Sequence, residues 1–341
     1  MKGRGLLYGI LLALAACGLA PSNSQTPPEV LVTALGSATA AGISKGFSIP
    51  FGSSPVNLSS QSLATGDTLW GGTVVDNTLI LLSRTPSGSG GEFLVSSLPL
   101  SSRGPAIVTG VSGTPYALAQ SGQVIIVLTA TSGAPQGCLE TFSVGTLVSL
   151  STAGGAISPL GSCQPLPGTG SLSGGLLLSM ADGVEFLAGT LSGTTSAMDL
   201  RLYPLSTVID GGSLASPQTT WLTSRSYPGG TPLSAVALSS TVLLPDPSLA
   251  AVDIYQVTTL YNKQGGTLTP LSTTSLSLGG PPTLLIVDPA QNFLMAASSG
   301  TVSLFGLGSV LNPPGTLGAL GTIAPPGGLS LGALAVYAGS S

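Results

Sequence analysis

The sequence predicts an all-β fold: a β-propeller of about six four-stranded blades, with one blade completed by both termini. The first supporting observation is an aromatic residue followed two positions later by an aliphatic one, which recurs every 46 to 61 residues. The occurrences are Phe47-Ser48-Ile49, Phe93-Leu94-Val95, Phe142-Ser143-Val144, Tyr203-Pro204-Leu205, Tyr255-Gln256-Val257 and Phe305-Gly306-Leu307. A fixed period of this length is typical of folds built from stacked structural repeats.

The second observation is a turn-forming pair between two apolar runs, ahead of the aromatic segment in five units. These pairs are Asp76-Asn77, Ser121-Gly122, Asp182-Gly183, Ser239-Ser240 and Asp288-Pro289. Such pairs join antiparallel strands. Residues 283–307 read strand, Asp-Pro turn, strand, Ser-Ser-Gly turn, strand, and a fourth strand is expected near 320–324. Four antiparallel strands per unit is the pattern of a propeller blade.

The third observation is that Gly and Pro interrupt nearly every ten-residue window, so a helical pattern is almost absent. At the ends, a strand is expected at 30–35 and a surplus strand at 332–339. Together they would complete one blade and close the ring. Seven blades stay open because two units are long, and a tandem pair of β-sandwiches is the alternative architecture.

The start of the chain carries a targeting signal. Lys2 and Arg4 precede an apolar run at 6–14, which ends in Leu14-Ala15-Ala16-Cys17. This arrangement resembles the signal of bacterial lipoproteins, in which the four residues that end at the cysteine are called the lipobox, although a generic secretory signal with an incidental cysteine is the alternative. The resemblance implies a signal peptide at 1–16, lipid on the Cys17 thiol and a flexible, uncharged tether at 17–28. The propeller would then occupy 29–341, anchored in the cell envelope, on the outer membrane if the host has two membranes.

Composition excludes several function classes. Only 6% of the residues are charged and the chain has no histidine. The missing histidine removes the Ser-His-Asp triad, the Cys-His pair and His-containing metal sites. The net charge of −4, with no basic run, argues against nucleic acid as a partner. We therefore expect no metal and no cofactor.

The two cysteines beyond the lipobox, Cys138 and Cys163, lie 25 positions apart. Because an envelope compartment permits disulfides, we expect an intramolecular bridge, with two buried free thiols as the alternative. Two thiolates without histidine do not suggest a zinc site.

Few side chains remain as candidates for chemistry. Asp199 and Arg201 share one strand face and are interpreted as a surface ion pair. Asp76, Asp182 and Asp288 lie in hairpin turns, where Asp usually accepts hydrogen bonds from its own backbone. The two tryptophans are expected in the core or between blades rather than on a binding face. The acids outside turns are Glu92, Glu140, Glu185, Asp199, Asp246 and Asp253, with Arg84, Arg103, Arg201 and Arg225 as partners.

Residues 280–307, with the Gly-Pro-Pro start, LLIVDP, NFLMAAS and SGTVSLFGL, resemble the repeats of lactonase-like and surface-layer β-propellers. The resemblance is specific for fold, because many unrelated functions share this scaffold. The hypothesis favoured here is a lipid-anchored envelope propeller that acts as a non-catalytic binding or scaffolding module, with an envelope protein or glycan as partner. The alternatives are a lactonase-like hydrolase of an uncharged small substrate, with Glu185 or Asp253 in the central funnel, and a structural envelope or surface-layer component.

Overall fold

A computed structural model describes residues 29–35, 43–48, 56–57, 68–85, 90–98, 105–323 and 330–337. The described part of the chain is built from antiparallel sheets whose strands follow one another in sequence order. The first strands are β1 (Glu29–Leu35), β2 (Ile43–Ser48) and β3 (Val56–Asn57).

Five blades follow, each with its first strand at the inner edge and its fourth at the outer edge. Blade 1 contains β4 (Thr68–Val75), β5 (Thr78–Arg84), β6 (Gly91–Ser97) and β7 (Ala106–Val111). Blade 2 contains β8 (Thr114–Ser121), β9 (Val124–Thr131) and β10 (Ala134–Ser143), with β11 (Gly155–Ala156) after β10 in the chain and β12 (Gln164–Pro165) as its fourth strand. Blade 3 contains β13 (Leu172–Ser179), β14 (Glu185–Ser192), β15 (Thr195–Pro204) and β16 (Thr219–Pro228). Blade 4 contains β17 (Val236–Ala237), β18 (Thr241–Pro245) and β19 (Ala251–Gln256), with β20 (Gly266–Leu268) after β19 in the chain and β21 (Ser272–Ser275) as its fourth strand. Blade 5 contains β22 (Leu284–Val287), β23 (Phe293–Ser298), β24 (Thr301–Gly306) and β25 (Gly321–Ile323).

The predicted all-β propeller is confirmed, but the blade count is five rather than six. The difference lies in a further sheet, the terminal sheet, where β26 (Ser330–Tyr337) pairs antiparallel with β1, and β2 and β3 follow. Its backbone pairing is described, whereas the side chains of β1, β2 and β3 are not. The described side chains therefore establish a packed core in five blades. The sixth unit predicted from the sequence corresponds to the terminal sheet, because a strand pattern in the sequence does not show whether the strands pack as a blade.

The predicted turn pairs all lie between the first and second strands of the five blades. In blade 1, Asp76 and Asn77 have φ values of 43° and 59°. Two consecutive positive φ values define the type I′ turn, whose twist matches that of the flanking strands. We call the face of the ring that carries these turns the turn face and the other the opposite face.

Four short helices on the turn face were not predicted. They are α1 (Val144–Ser149), α2 (Leu205–Ile209), α3 (Val257–Leu260) and α4 (Leu307–Leu311). Each begins at the aliphatic residue of the repeat motif, so this motif marks the end of the third strand and the start of a helix. Helices of four to six residues show no apolar periodicity, and only α1 has a side-chain N-cap, in which Ser143 Oγ accepts from the Thr146 N–H.

Four of the motif's aromatic residues occupy one equivalent position in the blades, two residues before a helix. Phe142, Tyr203, Tyr255 and Phe305 are each at most 1% exposed and pack between blades. Phe93 is not equivalent. The Leu98 N–H bonds to Asn77 O as the Val144 N–H bonds to Gln123 O, so Ser96 of blade 1 matches Phe142. The motif therefore identified the third strand of blade 1 correctly, but Phe93 does not occupy the position in that strand that Phe142 occupies in blade 2.

Outer strands of two blades are covered by segments of the following unit. The strand β11 pairs parallel with β7, and β20 pairs parallel with β16. This addition satisfies edge hydrogen-bonding groups that would otherwise be a template for pairing with another chain.

Tyr203 differs from its Phe counterparts by a hydroxyl that is buried and has no hydrogen-bond partner among the described residues. An unpaired buried hydroxyl costs about 1–3 kcal/mol. We expect Tyr203→Phe to raise the free energy of unfolding by about 1 kcal/mol at pH 7, measured by urea denaturation. Tyr116→Phe, at a half-buried ring, is the control. A destabilised Tyr203→Phe would contradict this account.

The same burial predicts a loss of stability at high pH. Desolvation raises the pKa of Tyr203, and also that of Tyr227, far above the ordinary value. Below pH 10 both hydroxyl groups are neutral in the folded and in the unfolded chain, so their ionisation does not reduce the free energy of unfolding. Above pH 10 only the unfolded chain ionises them, and the free energy of unfolding falls as the pH rises. Thermal melts from pH 8 to 11 should show a decline that is shallower in Tyr203→Phe.

Candidate functional site

The central cavity has a volume of about 410 Å³ and lies on the ring axis at the turn face. Its wall includes residues from the innermost strand of all five blades and from β26. Each of these six strands contributes at least one lining residue, for example Gly72, Ala119, Ser179, Ala237, Val287 and Leu334. Most lining residues are small or aliphatic, and the described lining residues include no Lys or Arg. The described cavity wall therefore combines aliphatic side chains with several polar ones and carries a single charged side chain, that of Asp288.

The polar side chains of this cavity are mostly engaged within the protein. Gln120 accepts from Thr73 Oγ1 and donates to Gly122 O, at 3.1 Å each. Ser234 Oγ donates to Leu285 O and accepts from its N–H. The bond from Thr73 to Gln120 links blades 1 and 2, and the bonds of Ser234 link blades 4 and 5.

Asp288 is the single acid of the described cavity lining and is 2% exposed. Its Oδ1 accepts from the backbone N–H of Asn292 at 2.8 Å and of Phe293 at 2.6 Å. This is the turn-stabilising role that the sequence predicted for hairpin aspartates. Asp182 behaves in the same way, since its Oδ1 accepts from the Val184 N–H at 2.9 Å.

Neither acid expected in the funnel under the hydrolase hypothesis is found there. Glu185 begins β14 at the turn face, and Asp253 lies on β19, fully buried between blades 3 and 4. The sequence indicates which strand carries an acid, but the inward or lateral direction of its side chain depends on the position of the strand in the blade.

Asp253 belongs to a buried ionic cluster. Arg225 of β16 donates from Nε to Asp253 Oδ2 at 3.0 Å, and its Nη2 lies 3.0 Å from Asp246 Oδ2. Thr273 Oγ1 donates to Asp253 Oδ1 at 2.5 Å. Both carboxylates are 0% exposed and the arginine side chain 30%. Hydrogen bonding to Asp253 raises the pKa of Arg225, so this cation stays charged and ties blade 3 to blade 4.

A second acidic pair lies at the surface of the turn face, where Tyr261 donates its hydroxyl to Asp182. Desolvation opposes ionisation of Asp182, but the hydrogen bonds from Tyr261 and the Val184 and Glu185 N–H groups together lower its pKa to about 2. Desolvation and the adjacent Asp182 raise the pKa of Glu185. Asp182 is exposed and Glu185 half-buried, and neither residue lines the central cavity.

Asp199 and Arg201 form the predicted ion pair, but not at the surface. The Arg201 side chain is 9% exposed and that of Asp199 27%, and both line a smaller pocket of about 260 Å³. The i, i+2 spacing showed that they share a face, but it could not show that blade 2 covers that face.

The remaining aromatic candidates are structural. Trp70 and Trp221 are buried, as predicted, at 4% and 6% exposure. Trp70 packs edge-on against Tyr116, and the Arg84 guanidinium lies 4.0 Å from its ring centroid. Burial lowers the pKa of Arg84.

Cys138 of β10 and Cys163 are joined in a disulfide, with Cα atoms 5.6 Å apart. The bond holds the outer strand of blade 2 against the third strand. The buried Glu140 lies beside it and accepts from the Ser112 N–H at 3.2 Å. Cys138, Glu140 and Cys163 are close enough to suggest a metal site, but the two sulfurs are bonded to each other and cannot act as thiolate ligands.

Opening this disulfide should destabilise the fold by about 3 kcal/mol, because a closed loop of 25 residues restricts the unfolded chain. We expect Cys138→Ala combined with Cys163→Ala to lower the urea midpoint accordingly. Dithiothreitol should lower the midpoint of the wild type and leave that of the double variant unchanged. An equal shift in both proteins would show that the reductant acts elsewhere.

Cys17, the predicted lipidation site, lies outside the described residues, as do 1–28 as a whole. Among the residues described, no helix is both long and apolar enough to cross a bilayer.

No protein-family model and no curated protein matches this sequence. Solved structures share its fold. A putative 6-phosphogluconolactonase from Bacteroides fragilis has 13% identity and a TM-score of 0.56, over 93% of this chain and 99% of that one. The periplasmic gluconolactonase PpgL of Pseudomonas aeruginosa has 16% identity and a TM-score of 0.49, over 88% and 84%. At such identity, the first of these likenesses supports the propeller fold alone.

Proposed function

We propose that this chain is a lipid-anchored propeller of the cell envelope that acts as a binding or scaffolding module without catalysis at its axis. The observation that carries the proposal is the state of the central cavity, whose polar groups are mostly bonded to the protein. Acid–base or nucleophilic catalysis needs positioned groups with free proton-transfer capacity. The one carboxylate in the described wall of the central cavity, that of Asp288, accepts hydrogen bonds from two backbone N–H groups.

Hydrolysis of a lactone is the second candidate, because the Bacteroides fragilis neighbour is a putative 6-phosphogluconolactonase. A phosphorylated substrate is usually bound by Arg or Lys. The described wall of the central cavity contains neither, which argues against such a substrate. An uncharged lactone is compatible with a described wall that has no cationic side chain.

We also propose that the terminal sheet completes the ring as a sixth blade. Ala333 and Ala335 of β26 pack with Leu69 and Leu79 of blade 1. On its other side, Leu334 packs with Leu284 of blade 5. A strand from the C-terminal end thus contacts the first and last blades and pairs with the N-terminal β1, an arrangement that would protect both edges.

A direct test of the catalytic question is pH-stat titration of the full chain with D-glucono-1,5-lactone and γ-butyrolactone. We expect no hydrolysis above the spontaneous rate. Asp288→Asn is the matched variant, because an amide oxygen can still accept the two backbone hydrogen bonds. Turnover that disappears in Asp288→Asn would overturn the proposal in favour of a hydrolase.

The anchor is tested separately. We expect the full chain, expressed in a bacterium, to incorporate a palmitate analogue and to partition into the membrane fraction. Cys17→Ser should do neither, and Cys163→Ser, which leaves the lipobox intact, should do both. Labelling of Cys17→Ser would contradict lipidation at that residue.

A further inference from the structure

A second pocket opens between blades 2 and 3, away from the ring axis. Its volume is about 260 Å³, and it lies towards the opposite face, where β13 begins and β14 ends. Blade 3 contributes Thr190, Asp199 and Arg201 to the wall, whereas blade 2 and the segment that follows it contribute Gln136 and Thr169. The pocket shares no described lining residue with the central cavity.

Strand alternation places the ion pair in this wall. Asp199, Arg201 and Tyr203 occupy alternate positions of β15 and therefore share one face. Tyr203 is buried in the core between blades 2 and 3, so the two charged residues extend the same face beyond that core. The register of β15 and β16 shifts between Ala197 and Asp199, and such bulges reorient side chains and are frequent beside functional sites.

The facing segment leaves space for a ligand because two of its residues, Gly168 and Gly170, have no side chain. A Cβ on Gly168 would lie 3.6 Å from Gln136 Cβ and 3.9 Å from Arg201 Nη2. A Cβ on Gly170 would lie 2.9 Å from Ser192 Cβ. A side chain on Gly168 would therefore occupy the space beside Arg201, and one on Gly170 would collide with Ser192.

The ion pair is only half satisfied within the protein. Arg201 Nη2 donates to Asp199 Oδ2, whereas Asp199 Oδ1 is buried without a hydrogen-bond partner among the described residues. Desolvation raises the pKa of Asp199 despite the adjacent Arg201. A buried, partly satisfied polar pair is costly, and an unsatisfied group in a native structure requires an explanation. The Asp199 side chain as a whole is 27% exposed, so a ligand in the pocket can reach the carboxylate.

We propose that this pocket binds a neutral polyhydroxyl ligand, the sugar residue of an uncharged glycan. Asp199 and Arg201 have no net charge together, so neither an anion nor a cation is favoured. A hydroxyl group can donate to the carboxylate and accept from the guanidinium at once. Gln136, Thr169 and Thr190 add neutral donors and acceptors to the wall.

A peptide fits this place less well. Extended peptides usually bind by adding a strand to a free sheet edge. The outer strand of blade 3, β16, is already paired with β20 at 221–223. The proposal concerns a site separate from the ring axis, so it holds or fails independently of the absence of catalysis there.

The test is calorimetric titration of the full chain, kept soluble in a detergent without a sugar headgroup. The probes are D-glucose, D-galactose, D-mannose and N-acetyl-D-glucosamine. We expect saturable binding of at least one. Asp199→Asn should weaken it about tenfold or more, because it removes a charged hydrogen-bond acceptor. Asp182→Asn, which neutralises an exposed acid of the same blade, should leave the affinity unchanged.

Thr169→Trp is a second variant, which fills the pocket from an exposed loop position and should abolish binding without a change in the thermal midpoint. This variant keeps the test decisive if Asp199→Asn unfolds. Absence of binding by all four sugars would overturn the proposal, as would equal affinity in the wild type and Thr169→Trp. Binding of N-methylacetamide in place of the sugars would overturn it in favour of an amide ligand.

Discussion

Replacement of Arg225 by methionine is expected to lower the free energy of unfolding by about 3–5 kcal/mol. The guanidinium is within 3.0 Å of both Asp246 and Asp253, each 0% exposed. Methionine preserves much of the side-chain volume but leaves two buried carboxylates without a cation. An intact buried ion pair adds little net free energy to folding, because its attraction is offset by the cost of removing both charges from water. Removal of one partner leaves that desolvation cost without the attraction, so the loss of stability is large. Urea denaturation followed by tryptophan fluorescence measures it.

The control is the triple variant Arg225→Met, Asp246→Asn, Asp253→Asn, which removes the cation together with both negative charges. It should recover most of the lost stability. Asp76→Asn, at an exposed residue of the blade 1 turn where Asn also tolerates the positive φ, should change the free energy of unfolding by less than about 0.5 kcal/mol. A loss below about 1 kcal/mol in Arg225→Met would show that water reaches the cluster.

The strand order of the propeller could be predicted from the sequence because its signals are local. Turn pairs such as Ser121-Gly122 and Asp288-Pro289 lie within a few residues of the strands they join. The short helices could not be predicted, because a segment such as Leu205–Ile209 is too short for helical periodicity and has no side-chain cap. Tertiary packing of Leu205 and Val208, both buried, stabilises it instead.

The candidate sites depended on contacts between blades, which the sequence does not specify. The spacing of Asp199 and Arg201 predicted their ion pair, but Arg201 is buried because blade 2 and the segment around Gly168 approach that face. In the same way, Asp253 appeared available for chemistry until its strand was placed opposite Arg225. The signal that could have identified the pocket is the glycine-rich run at 168–170 and 174–175, but these glycines are not distinctive in a chain with 49 of them.

The interface between blades 1 and 2 allows the second large prediction. Phe142 and Phe93 are both 0% exposed and meet edge to face, with ring centroids 5.1 Å apart at 78°. We expect Phe142→Ala to lower the free energy of unfolding by about 3–5 kcal/mol, because it leaves a cavity between two sheets. The ring of blades fixes the position of both sheets, so neither can move to fill the cavity.

Phe293→Ala is the matched control, since that ring is only half-buried on β23 and neighbouring side chains can move into the space it leaves. The loss should be clearly smaller. A pair of equal losses, measured by urea denaturation, would contradict the assignment of Phe142 to a packed interface.

The comparison of equivalent aromatic residues also tests whether the repeat itself holds the blades together. The aromatic at the equivalent position in blade 3 is Tyr203, where removal of the hydroxyl should stabilise the fold. The same position should therefore tolerate the loss of a polar atom and not the loss of the ring. This pattern is expected only if the third-strand aromatics hold adjacent blades together.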